Sequence, residues 1–513
     1  LAGNDLELTL DTGAVVSIAP FGPSMSVSGT YVVGAGEASG DLNVTNAALA
    51  GAATLTDAPG NSASLALPVG GNLADNRAIV IDTAAPFITS ITSGTANGTY
   101  GAGATIDVTV NFSENVTLAG NDLLVTLDTG AVVSIAPFGP AGSASGTYTV
   151  ASGHTSADLD VTGIALVGAG ASLVDDCDEL LNPNDADLSL PAGQNLGDNK
   201  EIKIDGVAPT ILSVTSTTDS GTYGTGANVN VRIEFSEDVI LTGGTLNVTL
   251  STGAVLNIPA FGPASQVDHT YAVTAGHTTS GAYLTVTNIA LGSGASLTDD
   301  LDGNPNPMVD FSIPSLQNLD DLKEIKIDAV APVIDSISST TDNGTYGTGA
   351  AVNLTITFSK AVTLVGAGGM DVTLNSGATV NVPEFASSDT ASVTYTVAAG
   401  HTTSGADLDV TNITLVGGAT LRDSVPNNPN NADLSLPGSE NLADNKDIII
   451  DGAAPVIDSI SSTTDNGTYG TGAAVNITIT FSKAVTLVGA GGMDVTLNSG
   501  ATVNVPEFAS SDT

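Results

Sequence analysis

Short stretches that alternate apolar and polar residues recur along the whole chain. In Thr105-Ile106-Asp107-Val108-Thr109-Val110-Asn111-Phe112 the residues Ile106, Val108, Val110 and Phe112 share one face. A period of two over such a stretch predicts a half-buried strand. Phe87-Ile88-Thr89-Ser90-Ile91 alternates in the same way and is followed by the turn-rich stretch SGTANGTYGAGA. Further short strands are predicted at 115–118, 123–127, 132–136, 146–150, 159–166, 171–173, 187–190 and 201–204, with turn residues between nearly all of them. No segment combines helical spacing with caps, and the many Val, Ile and Thr residues favour strands through their branched β-carbons.

This pattern repeats. IDTAAP at 81–86 returns as IDGVAP at 204–209, IDAVAP at 327–332 and IDGAAP at 450–455, each 123 residues after the last. An apolar strand ends on an acid, two small residues follow, and a Pro removes a backbone donor before the next apolar run, so the motif reads as a joint between domains. Gly-Thr-Tyr-Gly keeps the same spacing at 98–101, 221–224, 344–347 and 467–470, and Phe112, Phe235, Phe358 and Phe481 each precede a Ser. Residues 456–513 copy 333–390 at 57 of 58 positions, Leu354 becoming Ile477, and 1–23 copy 118–140 at 21 of 23. The expected units are 83–205, 206–328 and 329–451, flanked by a partial unit 1–82 lacking its first strands and a partial unit 452–513 lacking its last. The chain reads as a window on a longer array. Seven to nine short strands in a unit this long predict an all-β fold, a linear tandem array of antiparallel β-sandwich domains of immunoglobulin-like type. With no Trp, Phe112, Phe138, Tyr148 and the aliphatic residues must fill the core, and Tyr148, Tyr271 and Tyr395 share a position expected to serve packing.

Composition narrows the partners. The chain has 54 acidic against 10 basic residues, a net charge of −44, which excludes nucleic acid and anionic membranes as natural targets. It suits solubility, divalent cations, or both. The single cysteine, Cys177, allows no disulfide within the chain, and no apolar run is long enough to span a membrane.

Several motifs together resemble the bacterial immunoglobulin-like tandem repeats of giant surface adhesins. They are Ala-Pro before an apolar strand, the NGTYG loop, a strand ending Phe112-Ser113-Glu114 or Phe235-Ser236-Glu237, a YTVA-x-GHTS-like segment at 148–156, and a closing NLxDN…IxID. Units four and five depart from it, with Lys360 and Lys483 where Glu114 and Glu237 stand. The resemblance implies an extracellular or cell-surface location and calcium between domains, which points to the joint acids Asp82, Asp205, Asp328 and Asp451.

Loop acids form a second candidate calcium set. TDDLDGNPNP in unit three gathers Asp299, Asp300, Asp302, Asn304 and Asn306, with Asp320 and Asp321 further on; unit two offers Asp175, Asp176, Asp178, Asn182, Asn184 and Asp185. Unit four thins to Asp423, Asn427, Asn428, Asn430 and Asn431, and unit one to Asp57 and Asn61. Calcium takes several hard oxygen ligands from flexible loops, but Asp, Asn and Pro are also plain turn formers, and both readings stand.

Catalysis is not expected. His154, His277 and His401 share a Gly-His-Thr turn position that is Glu37 in unit one, which fits a solvent-facing turn residue; His269 has no counterpart. There is no Gly-x-Ser-x-Gly elbow and no zinc-type Cys/His cluster. Sequons such as Asn97-Gly98-Thr99 and Asn247-Val248-Thr249 often arise by chance in a chain this rich in Asn and Thr, and they carry glycans only if the source glycosylates its surface proteins. The sequence therefore predicts a non-enzymatic stalk or spacer stiffened by calcium, its partners being neighbouring repeats. The rival is a self-assembling subunit of an extracellular filament, sheath or surface layer, in which copies of the chain contact one another. A spacer attached to a carbohydrate-active enzyme is a third possibility.

Overall fold

The computed structural model describes residues 1–176 and 183–511. It is almost entirely β, and its sheets are mostly antiparallel. The second unit shows the plan. Its strands are β1 (Ile88–Thr92), β2 (Gly98–Tyr100), β3 (Thr105–Ala119), β4 (Leu123–Leu127), β5 (Val132–Ile135), β6 (Phe138–Thr149), β7 (Thr155–Ser156), β8 (Val161–Leu166), β9 (Ser172–Asp175) and β10 (Ile202–Asp205), with a one-turn helix α1 (Leu196–Asn199) before β10.

Strand β3 is the spine. Its alternation buries Ile106, Val108 and Val110 completely and leaves Phe112 nearly so. Removing each such side chain from water contributes about 1.5–3 kcal/mol. The stretches expected as separate strands at 105–112 and 115–118 are one strand, because the register against β6 shifts between Asn111 and Val116 and the strand continues past that bulge. Bulges bend a strand without ending it. β1 and β9 pair with successive halves of one edge of β3, and β6 runs along the other edge. A second antiparallel sheet has the order β8-β4-β5. Their buried faces form one apolar cluster from Ile88 to Ile204; Ile211 to Ala329 and Ile334 to Ile450 form two others, and a smaller one spans Leu10 to Ile81.

Three expectations change. The turn-rich NGTYG stretch contains a strand, β2, which runs parallel to β10 with Gly98, Thr99 and Tyr100 opposite Ile202, Lys203 and Ile204. Where no capped helical segment is expected, the NLxDN motif is a helical turn. Asn195 accepts from Leu196 N–H at 2.9 Å and Asp198 accepts from Asn195 N–H at 3.0 Å, a reciprocal capping box. The same asparagines tie the turn to the sheets, Asn195 donating to the Val161 carbonyl and Asn199 to that of Ile91, both at 2.8 Å, while Leu196 fills the core. Residues 187–190, expected as a strand, contribute only an isolated bridge from Asp187 to Phe87.

Candidate functional site at the joints between units

The chemistry that recurs in this chain lies where units meet. After each Pro of the joint motif the chain enters the next unit, and the Ser of the Phe-Ser pair receives it. Ser236 Oγ accepts from Thr210 N–H at 2.9 Å, and Ser113, Ser359 and Ser482 do the same for Phe87, Val333 and Val456, each at 3.0 Å. The joint acids cap the turn, Asp205 accepting from Val207 N–H at 3.1 Å and Asp82 from Ala84 N–H at 2.9 Å.

The loop 302–306 of unit three does not stay within its own unit. It lies along β2 of unit two as a short parallel bridge, Tyr100 opposite Gly303. Gly101 N–H donates to the Gly303 carbonyl at 2.8 Å, and Gly303 N–H to that of Thr99 at 2.9 Å. Asp302 accepts from Thr99 N–H at 3.2 Å. The loop thus adds a residue to an exposed sheet edge and covers it. In unit four Asn427 repeats the move on the edge of unit three, bridging to Tyr223 and taking Gly224 N–H at 2.8 Å.

One asparagine locks each contact. Asn306 is 2% exposed. Its Oδ1 accepts from Ala102 N–H of the preceding unit at 2.7 Å; its Nδ2 donates to the Asp205 carbonyl of the joint and to Asp299 Oδ2, both at 2.7 Å; its own N–H donates to Asp299 Oδ1, also at 2.7 Å. Asn430 matches it. Its Oδ1 accepts from Thr225 N–H at 2.9 Å and Thr225 Oγ1 at 2.8 Å, and its Nδ2 donates to the Asp328 carbonyl at 2.7 Å and to Asp423 at 2.8 Å. In unit two Asn184 donates to the Asp82 carbonyl at 3.2 Å and to Asp175 at 2.6 Å. The shorter loop of unit one keeps the internal half, with Asn61 bonded to Asp57.

The predicted metal residues therefore fall into different places. Asp175, Asp299 and Asp423 are buried and hold the latch asparagine of their own loop. Asp302 contacts the preceding unit, and Asp176 and Asp300 face solvent. Asp320 and Asp321 belong to the helical turn Leu319–Leu322, Asp321 completing its capping box. Asp178 and Asn182, like Cys177, lie outside the described residues. Among those described, no group of three or more His, Cys, Asp or Glu side chains is placed to hold a metal ion.

What faces the buried loop acid differs between joints. At Asp328 the Lys360 ammonium reaches Asp328 Oδ1 at 2.9 Å and Asp423 Oδ2 at 3.3 Å. At Asp451, Lys483 reaches the joint acid at 2.6 Å. At Asp205 the same position is Glu237, whose carboxyl is pushed up to about 7, first by burial and then by the carboxylates of Asp205 and Asp299. Glu114 is raised likewise, by burial first and then by Asp82 and Asp175. A carboxyl raised in the folded state keeps its proton after the unfolded chain has released it. Stability at this joint therefore falls as pH climbs from about 4.5 towards about 7 and levels off above. Urea titrations across this range are expected to show that slope, and Glu237→Gln to flatten it; an unchanged slope in the variant would assign it elsewhere.

No family model matches this chain. No curated protein matches it either. Among solved structures, domains 4–9 of the surface layer protein SbsC are similar at 12% identity and a TM-score of 0.13, over 95% of this chain and 83% of that one. A score of that size establishes no common fold.

The histidines expected at a solvent-facing turn are instead half-buried hydrogen-bond partners. His154 Nδ1 takes Ala151 N–H at 3.3 Å, so it is an acceptor, and the buried Tyr148 hydroxyl donates to it at 2.8 Å. Tyr271–His277 and Tyr395–His401 repeat the pair at 2.7 and 2.9 Å. In unit one Tyr31 donates to Glu37 at 2.6 Å, which explains the exchange: imidazole and carboxylate both accept the tyrosine proton. Among the described residues, no helix is long and apolar enough to cross a membrane.

Proposed function

We propose that this chain is a non-enzymatic extracellular structural array, the stalk or spacer of a giant cell-surface adhesin or related surface fibre. The observation that carries this reading is the repeated docking of one unit's loop on the preceding unit's edge, locked by Asn306 at one joint and Asn430 at the next. The latch asparagine recurs in units two, three and four and each time bonds the carbonyl of the preceding joint acid, which is what a spacer needs from it. The Tyr-His pairs are hydrogen-bonded within each unit, the tyrosine ring in the core and the histidine half-buried at its edge.

Calcium enters this proposal at the joints of Asp82 and Asp205. There Glu114 and Glu237 face the carboxylates of Asp175 and Asp299, and a divalent cation would relieve their repulsion. At Asp328 and Asp451 a lysine already supplies the positive charge. Small-angle scattering of the chain with calcium and then with a chelator tests both parts. An extended particle that persists in chelator, with added stiffness in calcium, is expected. A compact particle would overturn the spacer reading, and growth with concentration would favour a self-assembling filament.

A further inference from the structure

The two fully described joints between complete units share almost every contact and differ in the charge that faces the joint acid. Both have the Ser-capped entry, the loop bridge on the preceding edge and the asparagine latch on a buried aspartate. At Asp328 the position after Phe-Ser is Lys360, set between Asp328 and Asp423 at 2.9 and 3.3 Å. At Asp205 it is Glu237, which follows the same Ser-capped entry and takes the position that Lys360 holds between the joint acid and the loop acid, here Asp205 and Asp299. The surrounding charges point the same way. The loop beside Glu237 also carries Asp300 and Asp302, the latter bonded to Thr99 N–H, whereas the loop beside Lys360 has Ser424 and Pro426 at those positions and carries Arg422, bonded to Asn431 at 2.8 Å.

We propose that the residue after each Phe-Ser pair sets the sign of its joint's response to ionic strength: joints with Glu tighten as salt is added, and joints with Lys loosen. Dissolved ions screen attraction and repulsion alike, and the screening length falls from about 30 Å at 0.01 M to about 3 Å at 1 M. A joint closed against mutual repulsion gains from screening, while one closed by an ion pair loses. The array then carries two kinds of joint with opposed responses, so a change of medium redistributes stiffness along it without changing the fold of any unit. This inference concerns the joints alone and holds whether or not the chain is a stalk.

The test is amide hydrogen exchange on the whole chain, in chelator, at one fixed pH near 8, in low and in high sodium chloride. Peptides covering 98–103 report the Asp205 joint through Gly101 and Ala102 N–H, and peptides covering 221–226 report the Asp328 joint through Gly224 and Thr225 N–H. From low to high salt, protection is expected to rise about two- to fivefold in the first and to fall by a similar factor in the second, the range of exposed ion pairs. Each joint serves as the control for the other in the same tube. Glu237→Lys is expected to reverse the first response while leaving the second unchanged, and Lys360→Glu to reverse the second. Both peptides moving in the same direction, or neither moving while both stay protected, would overturn the proposal.

Discussion

Asn430→Ala is expected to open the joint at Asp328 while leaving unit four folded. The substitution removes the acceptor of Thr225 N–H and Oγ1, the donor to the Asp328 carbonyl, and a donor to Asp423, whose side chain is 2% exposed. Leaving buried polar groups without partners costs about 1–3 kcal/mol each, more when the group is charged. Because backbone groups at an opened joint regain water, the expected net loss is about 2–4 kcal/mol of joint closure. That is roughly a 30- to 700-fold faster exchange at Thr225 N–H, while the amides of Val352 to Ile356 in the core of unit four keep their protection. Asn306→Ala should act alike at Ala102. Asn430→Asp separates two accounts of the loop. An added carboxylate would strengthen a calcium site, but here it places a second negative charge against Asp423 and removes the donors, so closure should weaken in calcium as in chelator. Unchanged protection in Asn430→Ala would mean that the latch is incidental.

The second large effect comes from a glycine. A Cβ on Gly224 would collide with the Asn428 carbonyl of the next unit, and one on Gly101 with that of Asn304. Neither glycine has a left-handed φ, so alanine costs nothing in its own unit. Gly224→Ala is therefore expected to prevent docking, with the loss of protection confined to the N–H groups that the contact holds, those of residue 224, Thr225 and Asn427. Gly347→Ala is the matched control. Its new Cβ meets only the Asp451 carbonyl at 3.7 Å, an ordinary contact, so the variant should behave as the parent chain. Equal effects from both substitutions would place the cause inside the unit rather than at the contact.

Much of this was legible in the sequence, and what escaped has physical reasons. Alternation in 105–112 gave the right strand and the right face because one side of it is buried and the period is two. The Ile-Asp-x-x-Ala-Pro motif lies where one apolar cluster ends and the next begins, near 204–211 and 327–334. The parallel pairing of Gly98–Tyr100 with Ile202–Ile204 was hidden, because its partners lie about a hundred residues apart and its composition is that of a turn. The four-residue helix at NLxDN is too short to show a period of 3.6, though its Asn-x-x-Asp capping box was there to be read. The loop acids looked like ligands because clustered Asp and Asn serve calcium, turns and hydrogen-bond latches equally. Only the position of the preceding unit separates these, and local sequence does not carry it.

Thr225 and Asn430, 205 positions apart in sequence, meet directly at the joint of Asp328. A double-mutant cycle with Thr225→Val and Asn430→Ala measures this contact, read as the opening free energy at Gly224 N–H in chelator. The Oγ1 contact is expected to appear as a coupling of about 0.5–1.5 kcal/mol, the size of one net hydrogen bond. Strictly additive effects would contradict it, and with it the claim that these units are held by loop-to-edge docking.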